Sequence, residues 1–137
     1  MKNLANCLPS EFLKQTNRIR KSVEKWLTVT DIMNIRKRMP EGMPEVKPDM
    51  SKDEARAVLE KRQSMMAEQS QRNLKAIFDA MLDEHPEETL EVLALCCFVE
   101  PKDVDTHTVS DYLTSVNELL ADKNVRDFFS FLMSLVQ

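Results

Sequence analysis

The sequence predicts an all-α fold: a compact bundle of about five to six helices, one of them long, with a Pro/Met-rich linker near residues 39–50. Three observations carry that prediction. The 137 residues include a single Gly, whereas phosphate-cradling loops and most hairpin turns need several, because only Gly adopts φ > 0 freely. Leu, Met, Glu, Lys and Ala, the good helix formers, are abundant. Apolar residues recur at helical spacing through most of the chain. β-Sheet enzymes, P-loops and Rossmann folds are disfavoured together. With 42% hydrophobic and 31% charged residues, the chain is too apolar for a disordered one and long enough to bury a core.

Each element has its own signal. Pro9 and Ser10 start a first helix from about Ser10 to Leu27, with Phe12, Thr16, Ile19, Val23, Trp26 and Leu27 on one stripe and basic Lys14, Arg18, Lys21 and Lys25 on the other face. A short helix follows in "TDIMNIRKR", with Thr30 as its expected N-cap. "MPEGMPEVKPDM" (39–50) holds three of the six prolines and the only Gly, so it reads as a linker or extended arm.

Ser51 to Glu54, S-K-D-E, reads as a capping box starting a helix to about Glu84. Its second half has an expected core stripe of Leu74, Ile77, Phe78, Met81 and Leu82. Its first half offers only Ala55, Val58, Leu59, Met65 and Met66 among many charges. That half is expected to project, break, or pack on another chain.

His85-Pro86 ends the long helix. Residues 86–98 form the expected central buried helix, apolar nearly all round from Leu90 to Val99, which Pro101 stops. Thr108 caps a fifth helix facing inward through Val109, Tyr112, Leu113, Val116, Leu119 and Leu120. Asp122 or Asn124 starts a sixth, with Val125, Phe128, Phe129, Leu132, Met133 and Val136 inward. The domain reading is a basic-faced helical segment 1–38, a linker 39–50 and a helical core 51–137, together one folded domain. The last two-fifths are expected to make a sealed apolar bundle, leaving the amino-terminal portion free to grip other polypeptides.

Net charge is −4, with residues 1–50 carrying ten Lys/Arg against six Asp/Glu and residues 51–137 nine against seventeen. This polarity suits head-to-tail self-association or a charged partner. No apolar run approaches the roughly 20 residues that span a bilayer, and "MKNLANCLPSEF" lacks the apolar stretch of a signal peptide. Three cysteines make no disulfide framework, so they are expected to be reduced thiols in the cytoplasm.

Little of the chain reads as catalytic machinery. Neighbours on a helix point about 100° apart, so Cys96 and Cys97 do not converge on one metal ion, and no second ligand pair exists. They lie amid Leu, Phe and Val near a helix C-terminus, without the cation or helix N-terminus that activates a thiol, and are expected to pack in the core. His85 and His107 sit at helix boundaries with no nucleophile nearby. "DEHPEE" (83–88) lacks the spacing of a calcium loop. The expectation is no catalytic residue, no metal and no cofactor. The nine methionines include six between residues 33 and 66. They read either as an adaptable partner surface or as gap-filling and loop residues. The residues expected to meet a partner are Arg18, Lys21 and Lys25, Met39, Met43 and Met50, and Val58, Leu59, Met65 and Met66.

Three stretches, "EFLKQTNRIRKSVEKWLTVTDIMNIRKRMP", "HPEETLEVLALCCFVEP" and "VRDFFSFLMSLVQ", resemble the small helical tail assembly chaperones of long-tailed phages and prophages, carried especially by clostridial bacteria. The resemblance covers nearly the full length. It implies a non-enzymatic protein of the host cytoplasm, absent from the finished virion, that coats the aggregation-prone tape measure protein and helps bring in tail tube subunits. In many such phages a frameshift makes a longer product, and this chain would match the short form. Two other readings stand behind it: a small prophage-encoded DNA-binding regulator, on the basic amino-terminal portion, and a virion connector protein.

Overall fold

Pro9 opens the first helix, α1 (Pro9–Thr30), because a residue without an N–H leaves nothing unpaired in a first turn. The computed structural model describes residues 1–135, the Met133 side chain excepted. The inward placement expected for Met133 and Val136 lies outside the described residues. Phe12, Thr16, Ile19, Val23, Trp26 and Leu27 are half-buried along one stripe of α1, as the spacing predicts. Thr30 does not cap the second helix; it is the buried last residue of α1. The chain breaks at Asp31, whose φ of 55° is left-handed, before α2 (Ile32–Arg36). Asp adopts this conformation more readily than bulkier residues, so the corner needs no glycine.

No helix forms between α2 and Ser51. The Ser51 hydroxyl then accepts the Glu54 N–H at 3.1 Å and starts α3 (Lys52–Phe78); this half of the expected capping box forms and the return bond does not. The helix continues as one π-helical turn (Asp79–Glu84), closed by the His85 N–H on the Ala80 carbonyl at 2.9 Å. Pro86 begins α4 (Pro86–Cys96). It ends before Pro101 because Phe98 turns left-handed at φ 56°, and a 3-10 segment (Pro101–Thr106) follows. Thr108 and Asp111 form a full capping box for α5 (Val109–Ala121). The Asp122 carboxylate accepts the Val125 N–H at 2.8 Å and caps α6 (Lys123–Leu135). Among the described residues there are helices and no strands.

These elements group into two compact units, Met1–Trp26 with Pro86–Gln137, and Leu27–His85. The grouping does not follow the linear order 1–38, 39–50, 51–137. Most of α1 belongs with the carboxy-terminal helices rather than standing free of them.

In the first unit, Leu4, Leu119 and Val125 are buried together, with Cys7, Phe12, Ile19, Cys96 and Phe98 packed on them. Phe12 meets Phe128 edge-on at 5.1 Å between centroids, a favoured aromatic geometry. Polar side chains tie the elements: Gln15 donates to the Leu95 carbonyl at 2.6 Å, the Trp26 indole to Thr89 at 2.9 Å, and the Tyr112 hydroxyl to the Val104 carbonyl at 2.6 Å. The bundle is not sealed. Leu90 of α4, Val109, Leu113 and Leu120 of α5, and Phe129 and Leu132 of α6 are exposed, because only half of each wide apolar face finds a cover.

Asn3 holds the amino-terminal residues onto this unit and is fully buried. Its amide donates to the Ser115 hydroxyl at 3.0 Å and the Glu118 carboxylate at 3.3 Å, while its carbonyl accepts the Ala5 N–H at 2.8 Å. Asn6 in turn accepts the Asn3 N–H at 2.8 Å. Removing a buried polar partner costs about 1–3 kcal/mol. Asn3→Ala is therefore expected to lower unfolding stability in urea by that amount. An unchanged midpoint would mean the tie carries no stability.

Candidate partner-binding surface

The two adjacent cysteines are packing residues. Cys97 is 2% exposed and its thiol lies 3.9 Å from the Tyr112 carbonyl. Cys96 is half-buried, and burial, with the neighbouring Cys97, pushes its thiol up to about 11. A thiol held protonated is neither nucleophile nor metal ligand at neutral pH. His107 is exposed, with Nδ1 3.9 Å from an Asp111 oxygen, and His85 is half-buried. Among the described residues no three His, Cys, Asp or Glu side chains gather as metal ligands, and no helix is long and apolar enough to cross a membrane.

Two of the four cations on the basic face of α1 pair within its own unit. Arg18 makes two parallel 2.9 Å bonds to Glu100, which hold the Glu100 carboxyl below its ordinary range and raise the guanidinium. Lys25 reaches Glu91 at 3.3 Å; Lys21 is exposed. As a result the charge asymmetry along the sequence does not become one between units. The first carries nine Lys/Arg against twelve Asp/Glu, the second ten against eleven. Of the expected partner residues, Arg18 and Lys25 are thus committed to intramolecular pairs.

Apart from Lys21, which is on α1 in the first unit, the other expected residues lie in the second unit, on α3 and the arm before it. The half-buried and buried side of α3 reads Ala55, Val58, Arg62, Met65, Gln69, Asn73, Ala76, Ala80, steps of three and four that keep one face of a helix together. This face carries polar Arg62, Gln69 and Asn73 among its apolar residues. Of the core stripe expected in the second half, Ile77 and Met81 are half-buried, whereas Leu74, Phe78 and Leu82 are 51%, 50% and 64% exposed. Leu59 and Met66 are exposed too, and the five form an apolar row along α3 and its π turn.

The covering arm explains the polar residues of that face. A Pro-rich extended segment has no helical ladder, so its carbonyls need donors from elsewhere. Arg62 donates to the Pro44 carbonyl at 2.9 Å, and Asn73, oriented by Gln69 at 2.7 Å, donates to the Arg38 carbonyl at 3.1 Å. Residue 38 lies at residue 73 and residue 44 at residue 62, so the arm runs antiparallel to α3. Six extended residues reach about 20 Å, and eleven helical ones rise about 17 Å; the strand of arm fits with little slack. Gly42, at φ 69° and with open space at its Cβ position, takes up the difference in a turn.

Between arm and helix lies a cleft of about 550 Å³ lined by Arg38, Met39, Glu41, Met65, Glu68 and Arg72, among others. Met39 is exposed, while Met43 and Met50 are half-buried, and the Met50 sulfur accepts the Lys47 N–H at 3.5 Å. The structure thus brings Met39 and Met65 to one cleft and sets Val58, Leu59, Met65 and Met66 along one helix. Arg62, Gln69 and Asn73 were missed from sequence, although their seven- and four-residue spacing in the middle of α3 is the signal that marks them.

The thiols give a direct test of burial. Folding favours the protonated form of Cys96, so the stability this thiol contributes is present below the ordinary value of 9.0 and is lost as pH rises through about 11; burial pushes Cys97 in the same direction. The folded protein is expected to lose urea resistance over that window. Its Cys96 and Cys97 should react with iodoacetamide at pH 8 at least tenfold more slowly than in denaturant, and equal rates would show that the thiols are accessible.

No family model, curated protein or solved structure matches this chain.

Proposed function

We propose that this protein is a non-enzymatic phage tail assembly chaperone. It binds the tape measure protein along α3, assists tail tube assembly with the tube subunit in the host cytoplasm, and leaves before the virion is complete. The observation that supports this reading is the exposed row Leu59, Met66, Leu74, Phe78 and Leu82. A helix that presents such a row offers i, i+4 and i, i+7 anchors to another amphipathic helix. A tape measure protein is long, helical and prone to aggregate through its apolar stripes, so a reversible cover of matching shape meets its need. Flexible thioethers at Met39, Met65 and Met66 suit a client whose side chains vary along its length.

One observation weighs against a DNA-binding regulator. Arg18 and Lys25 of the basic α1 face pair with Glu100 and Glu91, which leaves fewer cations to displace counterions.

Co-expression with the tape measure product tests the reading. The wild-type chain is expected to keep that product soluble and to co-purify with it. Leu74→Ser with Phe78→Ser removes two side chains that are half-exposed in the free protein. It should weaken retention by roughly ten- to a hundredfold, from about 0.7–1.5 kcal/mol of remaining burial each, while circular dichroism stays that of the parent. A wild-type chain that neither solubilises nor retains the product would overturn the proposal.

A further inference from the structure

We infer that residues 39–50 are a releasable strap, seated on the face of α3 that a partner helix takes when it binds. The inference rests on the chaperone reading above and adds how its surface is regulated.

The argument begins with the width of an interface. A helix that packs on another buries a stripe at least about 100° wide. In the first half of α3, Val58 with Leu59 and Met65 with Met66 are adjacent pairs seven residues apart, two turns along the helix. In each pair one side chain is half-buried, Val58 and Met65, and its neighbour is exposed, Leu59 and Met66. The half-buried members share the row of Arg62, Gln69 and Asn73; Met65 lies between the arm's two points of attachment and Val58 one turn before them. With the arm seated, this half of α3 offers outward only one member of each pair. With the arm lifted, the two pairs, each spanning about 100° of the helix, make a stripe of docking width.

The arm is built to lift. Pro40, Pro44 and Pro48 carry no N–H to donate. Among the described residues, the hydrogen bonds that hold it to α3 are the Arg62 bond to the Pro44 carbonyl and the Asn73 bond to the Arg38 carbonyl. Both come from side chains that can turn to water when the arm leaves, so release strands neither donor in an apolar setting. The cleft beside Met39 and Met65 leaves one margin of the arm unsupported, where a competing helix can begin to displace it. An apolar staple or a paired strand would not exchange in this way.

The test uses the full chain with Arg62→Ala, Asn73→Ala and the double variant. In the free protein, hydroxyl-radical labelling of Val58 and Met65 should rise at least threefold in the double variant, and binding of an apolar fluorescent dye should increase, with labelling of Leu95 and Tyr112 unchanged. Retention of the co-expressed tape measure product should tighten by up to about tenfold per lost bond. If the arm loosens but retention stays equal or falls, the strap proposal is overturned and the chaperone reading stands. If neither labelling nor dye binding changes, the two bonds do not hold the arm and the proposal likewise fails. If the arm loosens and takes up dye while no form of the chain retains the product, the chaperone reading is the one that fails.

Discussion

A helix must cover its apolar surface, and α3 has too little beside it to do so. Its unit supplies a five-residue helix and an extended arm. Neither can lay down the two rows of apolar side chains that helix-on-helix packing provides. Everything distinctive about this unit follows from that shortage. The face under the arm carries polar Arg62, Gln69 and Asn73, because the arm's carbonyls need hydrogen bonds more than its short contacts need bulk. Leu74, Phe78 and Leu82 are displaced to the outside, where they remain in water. A chain that keeps such a row exposed carries a liability to aggregate unless another polypeptide covers it.

The first unit solves the opposite problem. Here α1 brings a full apolar stripe to α4, α5 and α6, and buried polar bonds fix the register: Gln15 on the Leu95 carbonyl, Trp26 on Thr89, Asn3 on Ser115. Ion pairs at its rim, Arg18 with Glu100 and Lys25 with Glu91, are exposed and contribute little energy each. Their larger effect is to offset two of the four cations on the basic face of α1. The two cysteines complete the packing as small apolar groups, and burial keeps their thiols protonated.

Much of this was legible in the sequence. Breakers and caps act locally, so Pro86, the Thr108 cap and Asp122, one of two candidate starts for α6, placed their helices correctly, and the Pro-rich run marked the arm. The single Gly excluded sheet-rich folds with good reason. What periodicity could not reveal was which stripe would be covered. Leu74, Phe78 and Leu82 recur as a core stripe should, yet coverage depends on what lies opposite, and the arm lies elsewhere. Asn3 was invisible for a similar reason: its partners, Ser115 and Glu118, are more than a hundred residues away. The basic face of α1 looked available because its carboxylate partners are equally distant in sequence. Of the residues expected to meet a partner, Met39 and Met65 line one cleft, and Arg18 and Lys25 pair within their own unit.

The central claim is that α3 holds its apolar row in water until another chain covers it. Hydroxyl-radical footprinting of the purified protein measures this directly. The account predicts strong labelling at Met66, Leu74, Phe78 and Leu82, comparable to the exposed Met39 and well above buried Leu95 and Tyr112. Labelling of that row at the level of Leu95 in the free, monomeric protein would contradict it.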